Sequence, residues 1–77
     1  MDHGVVVNQG DCYRKLDNLD QALNKYRKAL DMSGKKTPEL CNRLGFAYHS
    51  LGVMDYNEKK YQDAIQSFSL AIKYYPH

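Results

Sequence analysis

The sequence predicts an all-α fold in which four helices form two antiparallel hairpins. The main observation is an internal repeat: residues 10–16 recur as 45–51, an offset of 35, and residues 22–29 recur as 64–71, an offset of 42. A second observation is that apolar residues recur at three- and four-residue steps, which is typical of one helix face. Short connections between four such segments predict antiparallel neighbours.

The individual segments carry helix signals of unequal strength. Thr37 can cap the third helix, Pro38 suits its first turn, and Glu39 complements the positive end of the helix dipole. The first segment, about residues 4–16, is the weakest, because its β-branched run at residues 5–7 also suits a strand. The place of this segment in the repeat favours a helix.

Turn residues separate the helical segments. Asp17 and Asn18 lie between the first two helices, and either side chain is a candidate cap for the second. Gly34 follows the second helix and can take a left-handed conformation. Pro76 is expected to end the fourth helix, because proline cannot continue it.

The repeated residues resemble the tetratricopeptide repeat pattern, which runs Trp-x2-Leu-Gly-x2-Tyr, then Ala-x3-Phe, then Pro. The second hairpin carries Cys41-x2-Leu44-Gly45-x2-Tyr48, then Ala64-x3-Phe68-x2-Ala71, then Pro76. The first carries Val6-x2-Gln9-Gly10-x2-Tyr13, then Ala22-x3-Tyr26-x2-Ala29, with Gly34 in the place of the proline. The resemblance implies a short right-handed α-solenoid in a single domain, residues 1–77. One repeat would cover about residues 3–36 and the other about 37–77.

Glycines inside the helices indicate close helix packing. A glycine in a helix interior costs about 1 kcal/mol relative to alanine. Gly10 and Gly45 are worth that cost where a neighbouring helix approaches closely, and Ala22 and Ala64 are expected opposite them. Larger rings would fill the wider gaps, namely those of Tyr13, Tyr26, Tyr48 and Phe68.

The second hairpin contains an insertion of seven residues, 53–59, which is about two helical turns. One interpretation is a longer turn, with Asp55 or Asn57 capping a final helix that begins early. The other is an extension of the third helix past Gly52. The sequence favours a share of both.

The resemblance also implies a function, that of a non-catalytic scaffold module that binds a peptide or helix of a partner protein in a concave groove. The first helix of each hairpin would line this groove, with Asn8, Asp11, Arg14, Lys15, Glu39, Asn42, Arg43, Phe46, His49 and Ser50. Some relatives clamp a terminal carboxylate there, and Asn8 and Arg43 match two of the clamp positions. Glu39 and Asp11 would repel a carboxylate, so we expect no such clamp.

Two alternatives concern how the chain is completed. Repeat arrays generally need three or more units, and an uncovered final hairpin exposes apolar surface that usually marks an interface. The chain would then self-associate, or it would be a fragment of a longer array completed by neighbouring repeats. An RNA-binding pentatricopeptide-like array is less favoured, because the repeat lengths are unequal and the net charge is only +2.

Other functional classes lack sequence support. The small charge disfavours nucleic acid, and no apolar run approaches the ~20 residues of a membrane span. We expect no cofactor, and no catalytic motif suggests an enzyme. Cys12, Cys41, His3, His49 and His77 are too scattered for a metal site, and the cysteines are expected to be buried. The N-terminus lacks signal-peptide features, which favours an intracellular, cytoplasmic protein.

Overall fold

The computed structural model describes residues 3–34 and 37–75, and these residues form four α-helices without a strand. The helices are α1 (His3–Lys15), α2 (Leu19–Ser33), α3 (Pro38–Asn57) and α4 (Tyr61–Tyr74). The predicted all-α fold is therefore confirmed. The β-branched run at residues 5–7 is helical, because Val6 is fully buried in the core on one face of α1.

The helices pack as two hairpins, α1 with α2 (hairpin one) and α3 with α4 (hairpin two), and α2 packs against α3. The hairpins share one apolar core, in which Tyr26, Leu44 and Val6 are the largest fully buried side chains. The first half of α3 supplies Leu40, Leu44 and Ala47 to this core. Hairpin two is therefore joined to hairpin one through the N-terminal half of α3.

The signature residues of the repeat mostly lie inside this packing. Those that are buried are Gly10, Ala22, Tyr26, Ala29, Leu44, Gly45, Tyr48, Ala64 and Ala71. Tyr13 and Phe68 are half-buried, and Pro76 lies outside the described residues. The Tyr48 ring stacks on that of Tyr74, with centroids 5.9 Å apart.

The turn within hairpin one is a Schellman turn. The Asn18 N–H donates to the Tyr13 carbonyl at 2.9 Å, and the Asp17 N–H donates to the Arg14 carbonyl at 3.0 Å. Asp17 takes the left-handed conformation, with φ 60°. Asn18 occupies the N-cap position of α2, but its side chain makes no capping hydrogen bond. The predicted side-chain cap is therefore wrong, because backbone bonds close this turn.

Hairpin two repeats the same turn 42 residues later. The Lys60 N–H donates to the Asp55 carbonyl at 2.8 Å, and the Lys59 N–H donates to the Tyr56 carbonyl at 3.0 Å. Lys59 takes the left-handed conformation, with φ 64°. The two hairpins therefore turn by one mechanism, although no sequence motif is common to the two turns.

The helix ends on either side of the connection between the hairpins match the prediction. Gly34 is left-handed, with φ 66°, and its N–H donates to the Leu30 carbonyl at 2.8 Å. The Thr37 hydroxyl accepts a hydrogen bond from the Leu40 N–H at 3.3 Å, and Pro38 is the first residue of α3. Both helix ends are thus set by the residues that the sequence indicates.

The insertion lengthens α3 by seven residues relative to α1: residues 53–57 continue the helix, and residues 58 and 59 lie in the turn that follows it. α1 has 13 residues and α3 has 20. α3 begins 35 residues after α1 begins, and it ends 42 residues after α1 ends. The expected longer turn capped by Asp55 or Asn57 is therefore wrong. Both residues are helical, and α4 begins only at Tyr61.

The insertion also changes which glycine is equivalent to Gly10. A Cβ on Gly10 would lie 2.7 Å from Cε1 of Tyr26, and a Cβ on Gly52 would lie 2.7 Å from Cε1 of Phe68. The expectation that Gly10 and Gly45 are equivalent is therefore wrong for the packing within each hairpin. Rings rather than the alanines face these glycines. Gly45 lies two turns earlier, where its Cβ would meet the end of α4.

A displacement of α4 along α3 follows from this pairing. Seven residues of helix correspond to about 10 Å. The first two turns of α3, residues 38–44, therefore extend beyond the end of α4 and pack on hairpin one.

None of the described helices is both long enough and apolar enough to cross a membrane.

Candidate functional site

An open groove of ≈ 750 Å³ lies between α3 and α4. We call it the α3/α4 groove; its lining residues are Asn42, Gly45, Phe46, His49, Phe68, Ala71, Ile72 and Tyr75. Phe46 and Ile72 are both largely exposed. The His49 ring meets the Phe68 ring edge-on, with centroids 5.6 Å apart. The site is therefore an apolar and aromatic surface that faces solvent.

The sequence places these side chains on two helix faces. On α3, Asn42, Phe46 and His49 follow one another at four and three residues, which places them on one face of the helix. On α4, Phe68 and Ile72 lie beside the buried small residues that face α3. The groove forms because α4 is apolar over more than the face that α3 covers.

A polar cluster, formed by Asp11, Tyr26 and Arg43, joins three helices. Arg43 Nε donates to both carboxylate oxygens of Asp11, at 3.1 and 3.2 Å, and the Tyr26 hydroxyl donates to Asp11 Oδ1. Burial, together with the hydrogen bond to Asp11, raises the pKa of Tyr26 to about 12. The cluster therefore ties α1, α2 and α3 together while keeping Tyr26 uncharged.

The structure separates the predicted site residues into two groups. Asn42, Phe46 and His49 line the α3/α4 groove. Asn8 and Arg43 line a smaller groove of ≈ 350 Å³, where the start of α3 meets α1 and the end of α2. Glu39 lines this smaller groove as well.

The remaining predicted residues take other positions. Asp11 is half-buried and bound to Arg43. The Arg43 guanidinium therefore already has an ion-pair partner within the chain. The Arg14 guanidinium lies over the Phe46 ring, 5.0 Å from its centroid. Lys15 is exposed at the end of α1, Ser50 is half-buried, and both lie outside the two grooves.

Sequence reasoning missed the contribution of α4. Phe68, Ile72 and Tyr75 line the α3/α4 groove, whereas the prediction drew only on the first helix of each hairpin. The available signal was the spacing of Ile65, Phe68 and Ile72, which extends the apolar surface of α4 beyond Ala64 and Ala71.

The cysteines are not the buried residues that the sequence predicts. Cys12 is exposed, Cys41 is half-buried, and both are free. Cys12 lies on the outer face of α1, which no described helix covers. Within residues 3–34 and 37–75, no three His, Cys, Asp or Glu side chains gather in a way that would hold a metal ion.

Comparison with known proteins points to one family. Residues 4–36 match the family model described as "Tetratricopeptide repeat". The chain is 35% identical over 74 residues to tetratricopeptide repeat protein 16 of Homo sapiens, covering 95% of the chain and 8% of that protein. The same protein of Mus musculus is 35% identical over 74 residues, covering 95% of the chain and 9% of that protein.

The Macaca fascicularis protein of that name is 34% identical over 74 residues, again covering 95% of the chain and 8% of the relative. The chain thus spans less than a tenth of the length of these relatives. No solved structure matches it significantly. Tetratricopeptide repeats generally mediate protein–protein interaction on a scaffold that is generally non-catalytic. With its two helical hairpins and these matches, the chain belongs to the tetratricopeptide repeat family.

Proposed function

We propose that the chain is a non-catalytic protein-interaction module and that the α3/α4 groove holds an amphipathic helix of a partner. The observation that carries the proposal is the groove itself, an apolar and aromatic concavity of ≈ 750 Å³ on the surface. Exposed apolar concavities with a few polar groups are typical of binding sites.

The lining residues offer two kinds of contact to a partner, apolar and polar. Phe46, Phe68 and Ile72 offer apolar contacts. Gly45 lies in the floor of the groove, where its lack of a side chain makes room for Tyr75. Asn42 and His49 add polar groups that can fix the orientation of a bound segment. A helix with apolar residues at three- and four-residue steps suits such a surface.

The smaller groove contributes less to this proposal. Arg43 is held by Asp11 and Asn8 is exposed at its rim. An incoming acidic group would have to compete with Asp11 for Arg43. We therefore assign to this region an interaction with polar parts of a partner, while the apolar anchor lies in the α3/α4 groove.

A titration with a defined probe tests the site. The probe is a fluorescein-labelled peptide with the sequence of residues 37–51, an amphipathic segment that already packs on hairpin one. Fluorescence anisotropy should show saturable binding to the wild-type chain. Ile72→Glu should weaken binding at least tenfold, because it places a charge in the groove. Asn24→Glu, on the exposed outer face of α2, adds the same charge and serves as the control.

Equal binding by Ile72→Glu and the wild type would move the site off the α3/α4 groove. A second pair of variants then locates it. Loss of binding in Asn8→Ala, with no change in Asn42→Ala, would place the site on the smaller groove. Circular dichroism of each variant separates a change in binding from a loss of fold.

A further inference from the structure

One inference concerns which helix occupies the α3/α4 groove, and it rests on the function proposed above. Hairpin one shows how such a surface is covered. The second helix of each hairpin is called its outer helix. In hairpin one this is α2, which carries four apolar residues at steps of four, three and four, which we call the α2 seam: Leu19, Leu23, Tyr26 and Leu30. Leu23 and Tyr26 share the core with residues of α3, and Leu19 is only 5% exposed.

The covering helix uses the same spacing. The residues on its inner face, which we call the α3 seam, are Leu40, Leu44, Ala47 and Leu51. The first three are buried, and Leu51 packs partly buried against them. The interface between the hairpins is thus one seam of steps four, three and four packed against another.

The outer helix of hairpin two carries an equivalent seam that is uncovered. The α4 seam lies 42 residues after the α2 seam, at Tyr61, Ile65, Phe68 and Ile72. Ile65 is 59% exposed and Ile72 is 65% exposed. Phe68 and Ile72 form one wall of the α3/α4 groove. Hairpin two therefore presents the surface that α3 covers on hairpin one.

The chain also carries a second, unused copy of the covering surface. The α1 seam lies 35 residues before the α3 seam, at Val5, Gln9, Cys12 and Leu16. Val5 is 46% exposed, Leu16 is 74% exposed, and Cys12 is exposed. Gln9 is half-buried, with its Oε1 atom out of contact with solvent. The two halves of the interface between the hairpins thus exist at opposite ends of the molecule, and most of their side chains face solvent.

We propose that the occupant of the α3/α4 groove is α1 of a second copy of this chain, docked as α3 docks on hairpin one. The association is head-to-tail, so a pair of copies keeps one unused seam at each end, and the assembly stays open rather than closing as a symmetric dimer. Two residue differences between the α1 seam and the α3 seam weaken this contact relative to the one within the chain. Gln9 stands where α3 has Leu44, and Cys12 stands where it has Ala47.

The contact differs electrostatically from the one between the hairpins. Arg43, which binds Asp11 across that interface, corresponds to Asn8 on α1. On the receiving hairpin, Asp11 follows Gly10 and corresponds to Val53, which follows Gly52. The contact between copies therefore lacks this ion pair and is mainly apolar. Added salt should leave it intact, whereas a contact held by charges would weaken.

Sedimentation velocity of the full chain from micromolar to millimolar concentration tests the inference. The weight-average mass should rise above the 8.9 kDa of one chain and pass twice that value without a plateau. Leu16→Glu, in the α1 seam, and Ile65→Glu, in the α4 seam, should each stay monomeric. Asn24→Glu, on the outer face of α2, should associate as the wild type does.

Mixing the two blocked variants gives the decisive result. An equimolar mixture of Leu16→Glu and Ile65→Glu retains one intact seam on each partner, so it should form a species of two chains and nothing larger. A variant designed to associate more strongly provides a second test. Gln9→Leu/Cys12→Ala makes the α1 seam match the α3 seam, and it should lower the concentration needed for association at least tenfold.

Three results would overturn the inference. A wild-type chain that stays monomeric at millimolar concentration excludes it, even if that chain binds the 37–51 peptide as proposed above. Association of Leu16→Glu as strong as that of the wild type would indicate symmetric pairing of two α4 seams. A mixture of the blocked variants that stays monomeric would also contradict it. Val5→Glu and Ile72→Glu replace either blocked variant that circular dichroism shows to be unfolded.

Discussion

The two hairpins share a local design and differ in what covers their outer helices. Both close with a Schellman turn around a left-handed residue, Asp17 or Lys59, and both pack a glycine against an aromatic ring. In hairpin one the outer helix is covered by α3, whereas in hairpin two it faces solvent. The difference shows that the hairpin is specified locally, while burial of the seam on its outer helix depends on a neighbour.

The largest expected effect comes from changing the length of α3. A deletion of residues 49–55 removes seven residues and rotates the end of the helix by only about 20°. It should keep cooperative thermal unfolding, since Gly45 then takes the place of Gly52 opposite Phe68. A deletion of residues 49–53 rotates the end by about 140° and should abolish the cooperative transition. Equal damage by both deletions, measured by circular dichroism, would contradict this.

A smaller effect is expected from alanine at the two equivalent glycines. Gly10→Ala should destabilise the chain by about 1 kcal/mol, because overpacking against the fully buried Tyr26 outweighs the gain in helix propensity. Gly52→Ala should be neutral or slightly stabilising, since the half-buried Phe68 ring can swing towards the open groove. Urea denaturation measures both. Equal losses would show that the Phe68 ring is as fixed as that of Tyr26.

Hairpin one has a tyrosine, Tyr26, at the position where hairpin two has Phe68. Tyr26→Phe removes the hydroxyl bound to Asp11 and should cost about 1 kcal/mol at pH 7. The pKa of Tyr26 is raised to about 12 in the fold from an ordinary value of 10.0. The fold therefore favours the uncharged form, and this stability is present below pH 10 and lost as pH rises towards 12.

Wild-type stability should accordingly fall over that interval, and Tyr26→Phe should fall less. Tyr48→Phe is a second variant for comparison: burial also raises the pKa of Tyr48, so this variant should likewise fall less than the wild type. Urea midpoints at pH 7, 9, 10 and 11 give the comparison. A parallel decline of the wild type and Tyr26→Phe would remove Tyr26 as the source.

The smallest effects are expected at the two left-handed turn residues. Lys59→Gly should stabilise the chain by about 0.5 kcal/mol, because glycine takes positive φ without the Cβ penalty. Asp17→Gly should be close to neutral, because aspartate tolerates this conformation better than lysine does. Differential scanning calorimetry of both variants tests the ranking, and a larger gain at Asp17 would reverse it.

The sequence predicts the elements of the fold better than their register. Thr37, Pro38 and Gly34 act locally, and they set the helix ends where the sequence places them. Gly10 and Gly45 share a motif but not a packing role, because Gly52 takes the position opposite Phe68. Whether seven residues become a turn or a helix depends on where backbone hydrogen bonds close, and no residue type signals this at Lys59.

The candidate site was predictable only in part, for a similar reason. Asn42, Phe46 and His49 share one face of α3, which helical spacing indicates. The pairing of Asp11 with Arg43 joins residues 32 positions apart in the chain. Such a contact depends on how α1 and α3 lie side by side, which periodicity within one helix does not determine. Phe68 and Ile72 have the helical spacing of core residues, and they line the groove because no described helix covers that face of α4.

The length of α3 also bears on how the protein unfolds. In a regular repeat array, stability approximates a sum of units and nearest-neighbour contacts, so a terminal unit can detach alone. Here one continuous helix supplies Leu40 and Leu44 to the core of hairpin one and Gly52 to the contact with Phe68. Melting of α3 would withdraw support from both hairpins at once. Because the extended helix takes part in the packing of both hairpins, the protein should unfold as one cooperative unit rather than as two separable ones.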